Sequence, residues 1–169
     1  MTDPGMMIET PRLRLREFHP DDAAAMHAMN ADPEVLRFTG DVPFASLEEA
    51  RAFLLAYDQY RTRGMGRWVM EEKQGGAFVG WCGLKYDPDI DEVDLGFRLP
   101  RAVWGRGYAT EAGRACLEYG FGKLGLRRIV GRAMADNASS HRVLMKLSMV
   151  EVERKTDEGA MWVIYEVTR

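Results

Sequence analysis

The stretch that decides the fold reads EVDLGFRLPRAVWGRGYATEAGRACLEYGFGK, residues 92–123. Its opening alternates: Val93, Leu95, Phe97 and Leu99 are apolar, while Glu92, Asp94, Gly96 and Arg98 intervene. That predicts a strand over Glu92–Leu99 with both acids on one face and the hydrophobes on the other. Pro100 has no N–H to give to a ladder and ends the strand. A turn holding Gly105 and Gly107 follows, then a helix from about Ala109 to Lys123. Glycine takes backbone angles that other residues avoid and lets a ligand approach the main chain. The first N–H groups of a helix lack internal partners and lie at the positive end of its dipole. Together these predict an anion site fit for a diphosphate, with Arg101 and Arg106 as mobile counter-charges. A plain turn would need the same glycines. Position 110 is Thr, which breaks the GxGxxG fingerprint, and no Walker A lysine pattern is present. Spacing alone gives an anion-binding turn.

Upstream, Arg12 to Phe18 alternates, with Leu13 and Leu15 (and Ile8 before them) on one side and Arg12, Arg14 and Arg16 on the other. This is a half-buried strand with a solvated arginine face. Pro20-Asp21-Asp22 offers an N-cap for a helix to about Asn30, and Asp32-Pro33-Glu34 opens a short second one. Ser46-Leu47-Glu48-Glu49 has capping-box spacing for a helix ending near Arg63-Gly64. Strands are expected over Trp68–Glu72 and Ala77–Leu84, joined at Gly75-Gly76. Downstream come a strand over Arg128–Ala133, a helix from Asn137 to about Leu147, and strands over Val150–Arg154 and Met161–Val167. Hairpin strands followed by alternating elements imply an α+β fold, with helices packed on a mixed sheet, rather than a doubly wound parallel one.

At 169 residues, 46% hydrophobic and 29% charged, the chain has room for one domain, residues 1–169, with a real core. A net charge of -3 disfavours a nucleic-acid binder that works by bulk phosphate attraction. No apolar run approaches the roughly 18 residues that cross a bilayer, and the first 25 residues lack a stretch of signal-peptide length. Two cysteines without a CxxC and three histidines argue against a disulfide framework or a metal cluster. The expectation is a cytoplasmic protein with no metal, no membrane contact and no nucleic-acid partner.

Three segments carry a resemblance. Asp94-Leu-Gly-Phe-Arg-Leu-Pro with Trp104-Gly-Arg-Gly-Tyr-Ala-Thr-Glu-Ala112 resembles the acetyl-coenzyme-A-binding segment of the GNAT N-acetyltransferases. The likeness is greatest to the branch of ribosomal-protein N-terminal alanine and serine acetyltransferases. Asp136-Asn-Ala-Ser-Ser-His-Arg-Val-Leu-Met-Lys-Leu147 matches that branch's second signature, and Glu9-Thr-Pro-Arg-Leu-Arg-Leu-Arg16 its first strand. Two departures stand out: Trp104 opens the glycine turn where the wider superfamily has Arg or Gln, and Ser148-Met149 replaces the usual Gly-Phe. Ser148 puts a helix cap in doubt.

The resemblance implies a mostly antiparallel sheet of six to seven strands, splayed at its centre, with helices on both faces. Coenzyme A would lie between the strands Glu92–Leu99 and Arg128–Ala133. The backbone of Phe97, Arg98 and Leu99 would pair with the pantetheine arm. The turn from Trp104 and Gly105 through Arg106, Gly107, Tyr108, Ala109 and Thr110 would hold the diphosphate. Asn137 and Ser140 would meet the thioester end, and Lys146 would reach a phosphate. Acetyl-CoA would act as co-substrate and a primary amine, on a peptide N-terminus or a small molecule, as acceptor. A homodimer stays open.

For the chemistry, Asp94 is the candidate base, with Glu92 behind it, and Ser140 the candidate acid. A solvated strand face accounts equally for the two acids, and helix capping for Asn137 and Ser140. His141, Tyr108 and Tyr165 could move a proton, though a surface histidine and packing tyrosines are the blander reading. Cys82 and Cys116 read as buried packing residues. The competing function is a non-catalytic module that holds an acyl-CoA without turning it over.

Overall fold

The computed structural model describes residue 5 and residues 8 to 169, so expectations for residues 1–4, 6 and 7 lie outside the described residues. Eight strands form one sheet in the order β1-β2-β3-β4-β5-β6-β8-β7. They are β1 (Ile8–Glu9), β2 (Leu13–Arg16), β3 (Arg67–Glu72), β4 (Phe78–Asp87), β5 (Glu92–Arg98), β6 (Arg128–Met134), β7 (Val150–Asp157) and β8 (Ala160–Thr168). The eighth strand, beyond the six or seven expected, is β1: its two residues pair with Leu15 and Arg14. A two-residue strand carries no periodic signal of its own.

Every neighbouring pair is antiparallel except β5 and β6. That parallel contact consists of Asp94 opposite Val130 and Leu95 opposite Gly131, after which both strands run on without each other. The sheet is open at its centre.

Helices α5 (Tyr108–Gly122) and α6 (Ala138–Lys146) cover one face. Their Ala112, Cys116, Leu117 and Leu144 pack with Leu13, Leu15, Cys82, Leu84, Leu95 and Ile129 of the strands. Glycines permit the close approach. A Cβ at Gly113 would stand 2.7 Å from Leu147, and one at Gly120 would stand 2.8 Å from Ile129. Gly122 meets nothing and ends α5. The other face carries α1 (Ala23–Asn30), α2 (Pro33–Leu36) and α3 (Leu47–Ala56), through Met26, Met29, Val35, Ala50 and Leu54 against Phe78 and Trp81. Phe78 and Trp81 reach that face because β4 carries a bulge there. Val69 pairs with Trp81 and Glu71 with Phe78, so two residues of β4 oppose Met70 alone. Gly80 supplies the positive φ of 110°.

The first helix keeps its expected bounds, with Asp22 at the N-cap and Asn30 as the last residue of α1, but two details around the helices differ from expectation. Pro20–Asp22 is a separate 3-10 turn, capped by the His19 ring, which accepts the Asp21 N–H while Asp22 accepts the His19 N–H. The helix expected from Ser46 to Arg63 breaks at Tyr57, whose ψ is 117°, and resumes as α4 (Gln59–Arg63). The break serves the two tyrosines beside it. The Tyr57 hydroxyl accepts the Arg67 N–H at 2.8 Å, and the Tyr60 hydroxyl donates to the Arg67 carbonyl and accepts the Phe18 N–H. Tertiary contact outweighs helix continuity at this point.

The arginine face of β2 is also not simply solvated. Arg16 is clamped by both oxygens of Asp22 (2.7 and 2.9 Å) and by Glu71 (2.6 Å). Arg14 alone stays loose, 3.7 Å from Glu9.

At the end of α6, Ser148 adopts φ +63°. The Met149 N–H bonds the Leu144 carbonyl and the Ser148 N–H the Met145 carbonyl, which is a Schellman closure built without its usual glycine. A left-handed residue with a side chain costs about 1–2 kcal/mol. Ser148→Gly should therefore raise stability by up to about 1 kcal/mol, or about 2–4 °C in Tm for a chain of this size. A thermal melt checks this, and an unchanged or lower Tm would count against strain at the cap.

Candidate active site

The two parallel strands each lead into a helix N-terminus. Beyond β5, Trp104 turns its indole N–H back to the Leu99 carbonyl at 2.8 Å, and Gly105 (φ +77°) and Gly107 (φ +81°) turn the chain into α5. Gly107 is the N-cap and has no side chain to satisfy the helix. The first intrahelical bond runs from Glu111 to Gly107, so the N–H groups of Tyr108, Ala109 and Thr110 are left without an intrahelical acceptor. A Cβ at Gly105 would meet open space.

This end of α5 is pinned by the chain between β1 and β2 and by the end of β3. Glu111 accepts from the Thr10 hydroxyl (2.6 Å), the Arg12 N–H (2.9 Å) and Arg12 Nε (2.8 Å). Tyr108 donates its hydroxyl to Glu72 at 2.8 Å, with the Arg12 guanidinium 4.5 Å above its ring. Arg106 is about half exposed and 3.7 Å from Glu72. Arg101 is not a mobile counter-charge for the turn. It forks onto Asp32, the N-cap of α2, and holds that carboxyl below the usual range.

Beyond β6, Asn137 caps α6. Its Oδ1 accepts the Ser140 N–H (3.3 Å) and its Nδ2 donates to Ser140 Oγ (2.9 Å). The capping reading of both residues is thus realised. Because Ser140 Oγ accepts from Asn137, its own proton is left to give. His141, next along, is not a lone surface residue. Its Nε2 lies 3.0 Å from the Met134 carbonyl and 3.1 Å from that of Ala135, so Nε2 carries the proton. Nδ1 then accepts the Tyr165 hydroxyl at 2.7 Å, and burial followed by the Glu151 charge pushes that phenol's pKa up. His141 latches the start of α6 to the end of β6 and to the middle of β8. Lys146 stands at the other end of α6, where its carbonyl faces Arg114. Arg114 is seven residues, about 10 Å along α5, from Gly107.

On the opposite face of the open sheet, both oxygens of Asp94 face arginines. Arg67 Nη2 is 2.8 Å from Oδ1, without hydrogen-bond alignment, and Arg132 Nη1 is 3.1 Å from Oδ2. Arg132 also bonds Glu92 at 2.7 Å, and Arg128 joins Glu92 to Glu166. The result is a ladder of charge from β3 to β8 that bridges the parallel strands below their opening. A Cβ at Gly96 would stand 2.7 Å from the Arg67 guanidinium, so that arginine needs the glycine. Arg98 is held by Asn30 (3.2 Å) and Asp41 (2.5 Å). In the N-terminal segment Asp22, Asp32 and Asp41 are thus each paired with an arginine.

The chain matches a family model described as an acetyltransferase (GNAT) domain over residues 12–150. The chain belongs to the GNAT acetyltransferase family. An N-acetyltransferase of Bacillus licheniformis, p20, is 30% identical over 143 residues, 83% of this chain and 80% of that one. A GNAT-family acetyltransferase structure from Bacillus anthracis superposes with a TM-score of 0.85 at 24% identity, covering 96% of this chain and 98% of the other. A ribosomal-protein alpha-N acetyltransferase solved in complex with coenzyme A gives a TM-score of 0.80 at 16% identity, covering 96% and 98%. This acetyltransferase is an enzyme of a family that uses acetyl-CoA, and its residues fit that donor on two counts. Unclaimed amides wait at a glycine-opened helix N-terminus, and the strands beside it part where a slender arm could enter. Among the described residues no helix is long and apolar enough to cross a membrane.

The Glu111 network gives a pH test. Burial raises this carboxyl's pKa, but the bonds from Thr10 and Arg12 together outweigh it and leave the pKa below the ordinary 4.5. A depressed carboxyl stabilises the fold above its unfolded value, and that contribution fades as pH falls through the folded one. Denaturant midpoints should show Glu111→Gln less stable than the parent at pH 7, with the gap narrowing below about pH 4.5. A gap that stays constant down to pH 3 would refute the pairing.

Proposed function

We propose that this acetyltransferase moves the acetyl group of acetyl-CoA directly to a primary amine, with both substrates held at once in residues 1–169 acting as one cytoplasmic catalytic domain. The observation that carries this reading is the short β5–β6 contact. Where it ends, the strands open between two helix N-termini, the crevice position that ligands favour at the carboxyl ends of parallel strands.

The amides of residues 105–110 would hold the diphosphate. The backbone of Phe97–Leu99, paired with β4 over Phe97 and Arg98 but no longer with β6, would hold the pantetheine arm along its β6 side, and Asn137 and Ser140 would stand at its thioester end. When bound, acetyl-CoA supplies an acetyl group activated as a thioester. The chain supplies position, worth roughly 7–11 kcal/mol of barrier when two reactants are fixed together. As the C–N bond forms and the C–S bond breaks, Ser140, whose oxygen already accepts from Asn137, would give its hydroxyl proton to the departing sulfur and regain one from the amine nitrogen. Asp94, with both oxygens on arginines, anchors the ladder that sets the opening rather than taking a proton itself. Its carboxylate borders the acceptor side of the sheet.

Direct transfer is supported by the cysteines. The chain has two, Cys82 and Cys116, and both are buried with their sulfurs 3.8 Å apart. Burial pushes the Cys116 thiol well up, so neither is a ready carrier of acetyl.

Thiol release measured over a panel of peptide N-termini and small amines, with both substrates varied, tests the proposal. Intersecting initial-rate lines are expected; parallel lines would mean a covalent acetyl-enzyme and end the direct-transfer account. Asp94→Asn should raise the KM for acetyl-CoA several-fold and lower Tm while the shape of the pH–rate profile stays the same. A fall in kcat of about 10²-fold or more with loss of the profile's acidic limb would instead make Asp94 the base.

A further inference from the structure

Arg12 precedes β2, and strand alternation groups it with Arg14 and Arg16 as solvated charge. The structure turns it elsewhere. Its Nε and its main-chain N–H are both held by Glu111, and its guanidinium lies over the Tyr108 ring. Its Nη2 stands 3.4 Å from the place a Cβ would occupy at Gly107, the N-cap of α5. Among the described residues neither terminal nitrogen makes a hydrogen bond. About half of the side chain is exposed.

We propose that Arg12 is a second cationic ligand for the diphosphate of acetyl-CoA, opposite Arg106 on the glycine turn. The proposal rests on the donor reading above and extends it to a residue 95 positions before Gly107. Two carboxylates stand nearby and both are engaged. Glu111 spends its oxygens on Thr10 and on the Nε edge and amide of Arg12. Glu72 takes the Tyr108 hydroxyl and faces Arg106. The Nη1/Nη2 end of Arg12 remains for an oxyanion, and a guanidinium presents that pair in a fixed fork. The pin to Glu111 has already removed much of the side chain's freedom, so binding has less order to impose. Arg101 is tied to Asp32, and the Lys146 carbonyl at the end of α6 meets Arg114, two turns of α5 beyond Gly107.

The test is calorimetric binding of coenzyme A, 3′-dephospho-coenzyme A and pantetheine to the parent and to Arg12→Gln. A charge-assisted hydrogen bond contributes about 1.5–3 kcal/mol. Arg12→Gln should therefore raise Kd at least about tenfold for both nucleotides and leave pantetheine unchanged. Equal affinity for coenzyme A in parent and variant would overturn the proposal. A loss seen with coenzyme A but not with its dephospho form would move the contact to the 3′-phosphate and overturn the diphosphate assignment. A loss shared by pantetheine would mean a structural effect only. If Arg12→Gln fails to fold, Arg12→Lys should show a smaller loss, shared by the two nucleotides and absent for pantetheine; unchanged affinity there would equally refute it. A parent protein that binds none of the three would sink the donor reading itself.

Discussion

Strands β5 and β6 share two pairs of partners and then part, and this short parallel contact sets the geometry of the site. Something other than main-chain bonding must hold the strands at a fixed separation. The bridge is electrostatic: Arg132 on β6 spans to both Glu92 and Asp94 on β5, and Arg67 secures Asp94 from β3. These four side chains are only 14–25% exposed. Their interactions therefore lie between exposed pairs, worth about 1 kcal/mol or less, and buried ones whose rupture costs about 3–5. Such a ladder keeps the opening from closing into sheet or widening into solvent.

The second requirement is that α5 present its bare amides at that opening. Gly113 and Gly120 let the helix lie close to Leu147 and Ile129, and the Glu111 and Tyr108 contacts fix its first turn against β2 and β3. On α6, His141 does the corresponding work by joining the helix start to the end of β6 and the middle of β8. Both helix N-termini are thus tied to the sheet by side-chain contacts.

Much of this was legible in order along the chain. The alternation from Val93 to Leu99, the glycine turn and the Asn137–Ser140 cap gave β5, α5 and α6 within a residue or two. The break at Tyr57 was not legible, because helical spacing continues through it and the reason for it is the Arg67 backbone. Arg16 is covered rather than solvated, and alternation could not show it, since it names a face but not what covers it. The arginines on Asp94 were out of view too, because they lie 27 and 38 residues away.

The sequence by itself determined the local features: periodicity, caps, turns, and the order of elements that limits the sheet to a mixed type. These depend on residues a few places apart, whose geometry the backbone fixes. Tertiary structure alone decided which charges meet, how far the central strands separate, and that Arg12 reaches a turn 95 residues downstream. Ion pairs and close approaches are set by where the folded sheet brings distant chain segments, and no local spacing encodes that distance.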